Sequence, residues 1–373
     1  MSVHRRATSR GPRYDVRLRD PDGRAYKRTF RNRRDAQAFE ARELADRSRG
    51  AWIDPRRSAL TFEEWVRQWS ASTVGRRPKT VAWYARTVDL HLVPAFGSRA
   101  LGSLTPLDVQ AFVDALASRF APATTRGYYA VLRLILNTAV NADLIGRSPC
   151  RGIRLPPSAP RARRLPDPSV IHRLAEAIEP EYRAMVFVAA ELGLRWGECA
   201  GLQIRDLDVF RRSVTVRLNV GEVNGVLDIG DPKTNAGRRT VAASAPLMAE
   251  LAAHLRRRGL TAENAEAWVF AAPEGGPLRY SLFRSRVWVH AVRRAKLDGL
   301  TFHSLRHAAA TAWVAAGVDP RTAQHRLGHA TPRLVLELYA HATTEADRAA
   351  ADLMGSRLFG SSETPGARAI DAP

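Results

Sequence analysis

Four short strings hold residue types that together can carry out phosphoryl chemistry: Leu192-Gly-Leu-Arg-Trp-Gly-Glu198, Pro232-Lys-Thr-Asn-Ala-Gly237, Phe302-His-Ser-Leu-Arg-His307 and Arg326-Leu-Gly-His329, with Tyr339 ten residues after His329. A tyrosine oxygen, with a pKa near ~10, can hold a phosphoryl group covalently and then leave again. An attacked phosphate spreads charge over its equatorial oxygens, which fixed forks of donors stabilise best; Arg195 and Arg306 offer such planar forks. A guanidinium cannot hand a proton to a departing oxygen because its pKa exceeds ~12. A lysine can, and Lys233 stands between two strand-like runs.

Taken singly, each string is weak, and any one tyrosine of the eight reads as a partly buried structural side chain. A metal reading competes, since His303/His307 and His325/His329 form two H-x3-H pairs at a helical spacing suited to zinc. Arg306 and Arg326 sit inside those pairs and would repel a cation. No Asp, Glu or Cys lies between residues 299 and 318 to complete a neutralising shell. We therefore expect neither metal nor cofactor, read His307 and His325 as structural, and read Cys199 as a small buried neighbour of Glu198.

Charge points to the class of partner. The 373 residues carry 58 Lys+Arg against 37 Asp+Glu, a net +21. A polyanion is the expected partner. A membrane surface would also attract such a chain, but no basic block stands beside a lipid-insertable helix and no apolar run approaches a membrane span. Only Lys27, Lys79, Lys233 and Lys296 are lysines, and the other 54 cations are arginines, so a lysine at a candidate site is a marked choice. The N-terminal MSVHRRATSRGPR has no apolar stretch behind its basic residues, unlike a secretory signal. Two cysteines, Cys150 and Cys199, are too few for a disulfide framework. A cytoplasmic, nucleic-acid-binding protein is expected.

The elements that must position these side chains fall into several parts, as the length itself predicts for more than one core. Residues 1–57 hold 17 Lys+Arg and 8 Asp+Glu. Alternation over 14–20 and 24–30 around Pro21-Asp22-Gly23 predicts a β-hairpin, and 34–47 predicts a helix. Such a basic ribbon can enter a DNA groove. Residues 61–146 predict four helices, with start signals at Thr61, Pro78, Thr105-Pro106 and Pro122. In the last of these, Tyr128, Val131, Leu132, Ile135, Leu136 and Ala139 form a core-facing stripe. Residues 147–166 read as a basic, Pro-rich linker. Residues 167–358 predict helices around a β-rich passage from Asp206 to Val241, and 359–373 form a polar tail expected to be mobile.

In this order and at these separations, the four strings resemble the catalytic domain of the tyrosine recombinase, or phage integrase, family. The resemblance is specific over roughly 165–355 and looser over 61–146, while residues 1–57 are similar to the arm-type DNA-binding domain of some integrases. It implies a multidomain, mainly α fold: a small N-terminal β-hairpin-plus-helix domain, a helical core-binding domain, and a mostly helical catalytic domain with a small antiparallel sheet. The implied activity is site-specific recombination of double-stranded DNA through a 3′-phosphotyrosyl intermediate, by a homotetramer on two DNA sites and without nucleotide or metal. The implied catalytic set is Tyr339 as nucleophile, Arg195, Arg306 and His329 on the phosphate, His303 assisting proton removal from the tyrosine, and Lys233 protonating the leaving oxygen. The resemblance leaves room for accessory DNA-bending proteins. A type IB topoisomerase and a non-catalytic DNA-binding regulator are the rival readings. The separate basic N-terminal module and the Gly-Leu-Arg and Leu-Gly-His strings argue against the first, and retention of all six residues argues against the second.

Overall fold

The computed structural model describes residues 2–9, 11–19, 25–48, 55–72, 74–157, 166–232, 235–328 and 343–359. The chain divides into two compact units, residues 1–161 and 162–373. Among the described residues no helix is long and apolar enough to cross a membrane.

The first unit begins with a three-stranded antiparallel sheet in the order β1 (Ser2–Arg6), β2 (Arg13–Arg19), β3 (Ala25–Phe30), followed by helix α1 (Arg33–Ser48). The expected hairpin and helix form, and β1 is an addition that the sequence reading missed. Val3 is its one apolar side chain and it pairs only with β2, so an edge strand of this kind leaves almost no alternation to read. Val16, Leu18 and Ala36 are buried, with Tyr14, Tyr26, Phe30 and Phe39 packed around them. Strand alternation then sends Arg13, Asp15, Arg17 and Arg19 to the opposite face. There they stand in register with Arg6 and His4 of β1 and with Lys27 and Thr29 of β3.

Four helices follow where their start signals stand: α2 (Phe62–Ala71), α3 (Pro78–Thr87), α4 (Pro106–Ala117) and α5 (Pro122–Asn141). Thr61 with Glu64 and Thr105 with Asp108 form reciprocal capping boxes, each satisfying two backbone N–H groups that the helix cannot. Phe62, Trp65, Trp69, Leu92, Val109, Leu132 and Ile135 share one core, within which the Trp65 indole donates to the Ile135 carbonyl at 3.1 Å. One expected core position moves. Tyr129 is buried and donates its hydroxyl to the Cys150 carbonyl at 2.8 Å, whereas Tyr128 is half-buried and stacks on Trp83. Tyr129 keeps the i, i+3, i+7 phase with Leu132 and Leu136, which explains the exchange. The start of the expected linker is pinned to the helices: Gln110 and Arg154 exchange hydrogen bonds, and Arg126 donates to the Pro156 carbonyl.

In the second unit, α6 (Pro168–Ala177) precedes α7 (Pro180–Leu192) and the short α8 (Trp196–Ala200). Helix α7 is the centre of the core: Tyr182, Ala184, Met185, Val186, Val188, Ala189 and Leu192 are all buried. Around it pack α6, α9 (Ala245–Arg257) and α11 (Phe302–Ala315), with α10 (Val289–Arg294) against α6 and α12 (Pro320–Leu327) against α11. A last described helix, α13, spans Thr343–Phe359.

Strands β4 (Leu207–Asp208), β5 (Ser213–Val216) and β8 (Arg239–Ala242) make one antiparallel sheet, and β6 (Asn219–Val223) with β7 (Val226–Gly230) a separate hairpin. The two strand-like runs on either side of Lys233 are β7, which pairs with β6, and β8, which pairs with β5.

Candidate functional site

The site is assembled where α7 stops. Gly193 ends that helix in the left-handed region at φ 65°, and a Cβ there would lie 2.9 Å from the Trp313 ring, so the residue is fixed by conformation and by space together. The chain leaves through Leu194, and Arg195 becomes the N-cap of α8. Glu198 closes the capping box, accepting the Arg195 backbone N–H at 2.9 Å while its other oxygen accepts the Arg195 Nη1 at 2.7 Å. The Glu198 side chain is 2% exposed and that of Arg195 40%. One carboxylate therefore both starts the helix and aims an accessible guanidinium.

Two further arginines meet the same carboxylate. Arg239 lies 2.9 Å from Glu198 Oε2, both side chains being buried, and Arg306 Nη1 lies 3.9 Å from that oxygen. Burial works against the Glu198 charge, but Arg239, Arg195 and Arg306 outweigh it and leave the carboxyl below its usual range. Arg306 itself is drawn down from the ordinary arginine value, by burial first and then by Arg195, with Glu198 opposing. Its guanidinium is turned inward, donating to the Gly193 carbonyl at 2.6 Å and the Leu327 carbonyl at 2.5 Å. Arg306 thus ties the end of α7 to the end of α12.

The six expected site residues are placed unequally. Arg195 and Arg306 are brought together on Glu198. His303, in the first turn of α11 and three residues before Arg306, is exposed where Arg306 is buried; its ring meets that of His307 edge-on at 4.7 Å. Lys233, His329 and Tyr339 lie outside the described residues. Their flanks are described: Pro232 and Gly237 are buried on either side of Lys233, and Gly328 ends α12 in the left-handed region immediately before His329. Cys199 is buried as expected, and burial pushes its thiol well above the ordinary value.

Arg239 was not singled out from the sequence, although a signal existed. On β8 it stands in phase with buried Val241, opposite Val216 of β5. A charged residue in the apolar phase of a strand is buried only with partners, and Glu198 is the partner.

A second charged surface lies on the outer face of the N-terminal sheet. Asp15 is buried among its cations, accepting from the Thr29 hydroxyl at 2.7 Å, with Arg6 Nε at 3.5 Å and Lys27 Nζ at 3.9 Å. The Thr29 hydrogen bond, with Lys27, Arg6 and Arg17 beside it, holds the Asp15 carboxyl below its usual range.

Residues 166–346 match the model of the phage integrase family, and residues 61–117 that of the phage integrase N-terminal SAM-like domain. The integrase of Mycobacterium phage L5 is 28% identical over 335 residues, spanning 87% of this chain and 89% of that protein. The putative prophage phiRv2 integrase of Mycobacterium tuberculosis H37Rv is 28% identical over 354 residues, spanning 92% of each. Among solved structures, the Tn1549 transposon integrase in complex with transposon right end DNA superposes with a TM-score of 0.71 at 19% identity, over 79% of this chain and all of that one. A lambda integrase tetramer bound to a Holliday junction gives 0.57 at 18% identity, over 86% and 91% of the two chains.

Proposed function

This chain belongs to the phage integrase family of tyrosine recombinases, and from that premise we propose that it is a site-specific DNA recombinase whose Tyr339 carries the broken strand. The Tyr339 phenol oxygen attacks a scissile phosphate, forming a 3′-phosphotyrosyl bond as the bond to the 5′ oxygen breaks. The phenolic proton passes to His303, and Lys233 gives its proton to the leaving 5′ oxygen. The 5′ hydroxyl of a partner strand then attacks the phosphotyrosyl bond, releasing the tyrosine. One phosphoester is exchanged for another at each step, so no external energy source is needed.

The observation that carries this reading is the cluster on Glu198. It presents the accessible Arg195 guanidinium beside Arg306, and Arg306 holds the corner of chain from which His329 follows. Arg195 is the fork we assign to the phosphate. Because Arg306 is occupied with two carbonyls, its part is to fix that corner and add positive potential, with direct phosphate contact only if those bonds exchange. The outer face of the N-terminal sheet, with Arg6, Arg17 and Lys27 around Asp15, suits the backbone of a second, arm-type DNA site. Strand exchange between two duplexes calls for four protomers, the number bound to the junction in lambda integrase.

A nicked suicide duplex carrying the recombination site tests the nucleophile. The intact protein is expected to form a denaturant-resistant adduct with DNA, and Tyr339→Phe none. An adduct of undiminished yield with Tyr339→Phe would remove the tyrosine from this role.

A further inference from the structure

Arg239 joins three segments of the site. Its Nε donates to the Arg326 carbonyl at 2.8 Å, Nη1 to the Gly237 carbonyl at 3.0 Å and to Glu198 Oε1 at 3.3 Å, and Nη2 to Glu198 Oε2 at 2.9 Å. These three partners belong to different segments. Glu198 holds Arg195. Gly237 closes the loop that contains Lys233, and Arg326 is in the last turn of α12, three residues before His329.

A second observation, independent of the hydrogen bonds, gives the same junction. A Cβ built on Gly328 would lie 2.7 Å from Arg239 Nη1 and 2.9 Å from the Ala236 carbonyl. The corner before His329 therefore rests directly on Arg239 and on the Lys233 loop. That loop is closed at its base, since a Cβ on Gly237 would overlap Pro232. Only residues 233–236 lie between the two packed ends, so whatever fixes Gly237 restricts where Lys233 can reach.

We infer that Arg239 is a positioning residue that locks the Lys233 loop and the His329 corner onto the Arg195–Glu198 pair; this rests on the function proposed above. A guanidinium suits the task because its donors leave in fixed, coplanar directions, and a lysine here would keep the charge while losing the fork. With its side chain 1% exposed, no water competes for those bonds.

The experiment compares Arg239→Lys with the intact chain on two nicked suicide duplexes, one with the ordinary phosphodiester and one with a 5′-bridging phosphorothiolate, whose leaving group needs little protonation. Displacing Lys233 by about 1 Å is expected to slow cleavage of the ordinary duplex roughly a hundredfold, and the phosphorothiolate to restore most of it. In a Lys233→Ala background, Arg239→Lys is expected to add little further loss, because both changes act on one proton transfer. Gly328→Ala, which keeps every charge but intrudes on Arg239, is expected to give the same substrate-dependent loss and serves as the second variant should Arg239→Lys fold poorly.

Equal losses on both substrates, or cleavage within twofold of the intact chain by a folded Arg239→Lys protein, would overturn the inference. Lys233→Ala separates this from the parent reading. If Lys233→Ala is rescued by the phosphorothiolate and Arg239→Lys is not, the positioning role alone fails; if Lys233→Ala cleaves ordinary DNA normally, the proton-donor assignment fails with it.

Discussion

Asp15 and Glu198 are both carboxylates ringed by cations, and they are built in opposite ways. Around Asp15 the cations are loose: Arg6 and Lys27 stand 3.5 and 3.9 Å away and are 58% and 51% exposed. Around Glu198 they are fixed, since Arg239 is fully enclosed and only Arg195 reaches solvent. Exposed pairs contribute little to stability because water and salt already screen them. A buried pair stripped of one partner leaves an uncompensated charge, which is far more costly. The outer face of the sheet can therefore rearrange its cations to follow a phosphate backbone, while the Glu198 cluster holds one arrangement. Those are the behaviours that the proposed arm-site reader and the proposed cutting site respectively require.

The largest expected effect separates the two acids most sharply. Glu198→Gln leaves three guanidiniums facing a neutral amide and is expected to lower stability by about 3–5 kcal/mol and to abolish cleavage, as read by urea unfolding and the suicide duplex. Its pH dependence has a defined sign. Because the folded Glu198 carboxyl lies below its usual value, its contribution is complete above the unfolded pKa near ~4.3. It is lost as pH falls through the lower folded value. Urea midpoints measured from pH 7 down to 3 should show that acid loss in the intact chain and a smaller one in Glu198→Gln; identical curves would mean that the carboxylate is not held by its arginines.

An intermediate effect is expected from neutralising Arg6, Arg17 and Lys27 together as glutamines. If each meets one phosphate of an arm-type site, the slope of log affinity against log salt flattens by roughly 2.7, with cleavage of a core-site suicide duplex unchanged. A slope that stays put would show that this face does not touch DNA. The smallest effect is assigned to Asp15→Asn, which should lower the unfolding midpoint only slightly, since its ion-pair partners are exposed, and leave core cleavage intact. Freed cations should bind random DNA somewhat more tightly, so the ratio of specific to non-specific arm affinity should fall. Loss of folding would place Asp15 with Glu198 and erase the contrast.

Much of the frame was legible because it is written in local signals. Capping residues and prolines announced α2 to α5 almost to the residue, and two of the arginines that the resemblance named, Arg195 and Arg306, lie on one carboxylate. What escaped notice depends on contacts distant in sequence. Strand β1 is held by its pairing with β2, where Val3 stands opposite Val16. The partners of Arg306 here, the carbonyls of Gly193 and Leu327, lie 113 and 21 residues away, so no local pattern announces them. Arg239 was hidden among 54 arginines, because its partner lies 41 residues away.

The left-handed end of α7 has a consequence for the gene as well as the protein. Every single-base change that replaces a glycine with another amino acid introduces a Cβ, and at Gly193 that atom would meet the Trp313 and Leu327 side chains. The codon can drift only at its silent third base. In a library of random point mutants selected for recombination, this position should therefore be among the most depleted of substitutions, although glycine has no side chain to take part in the chemistry.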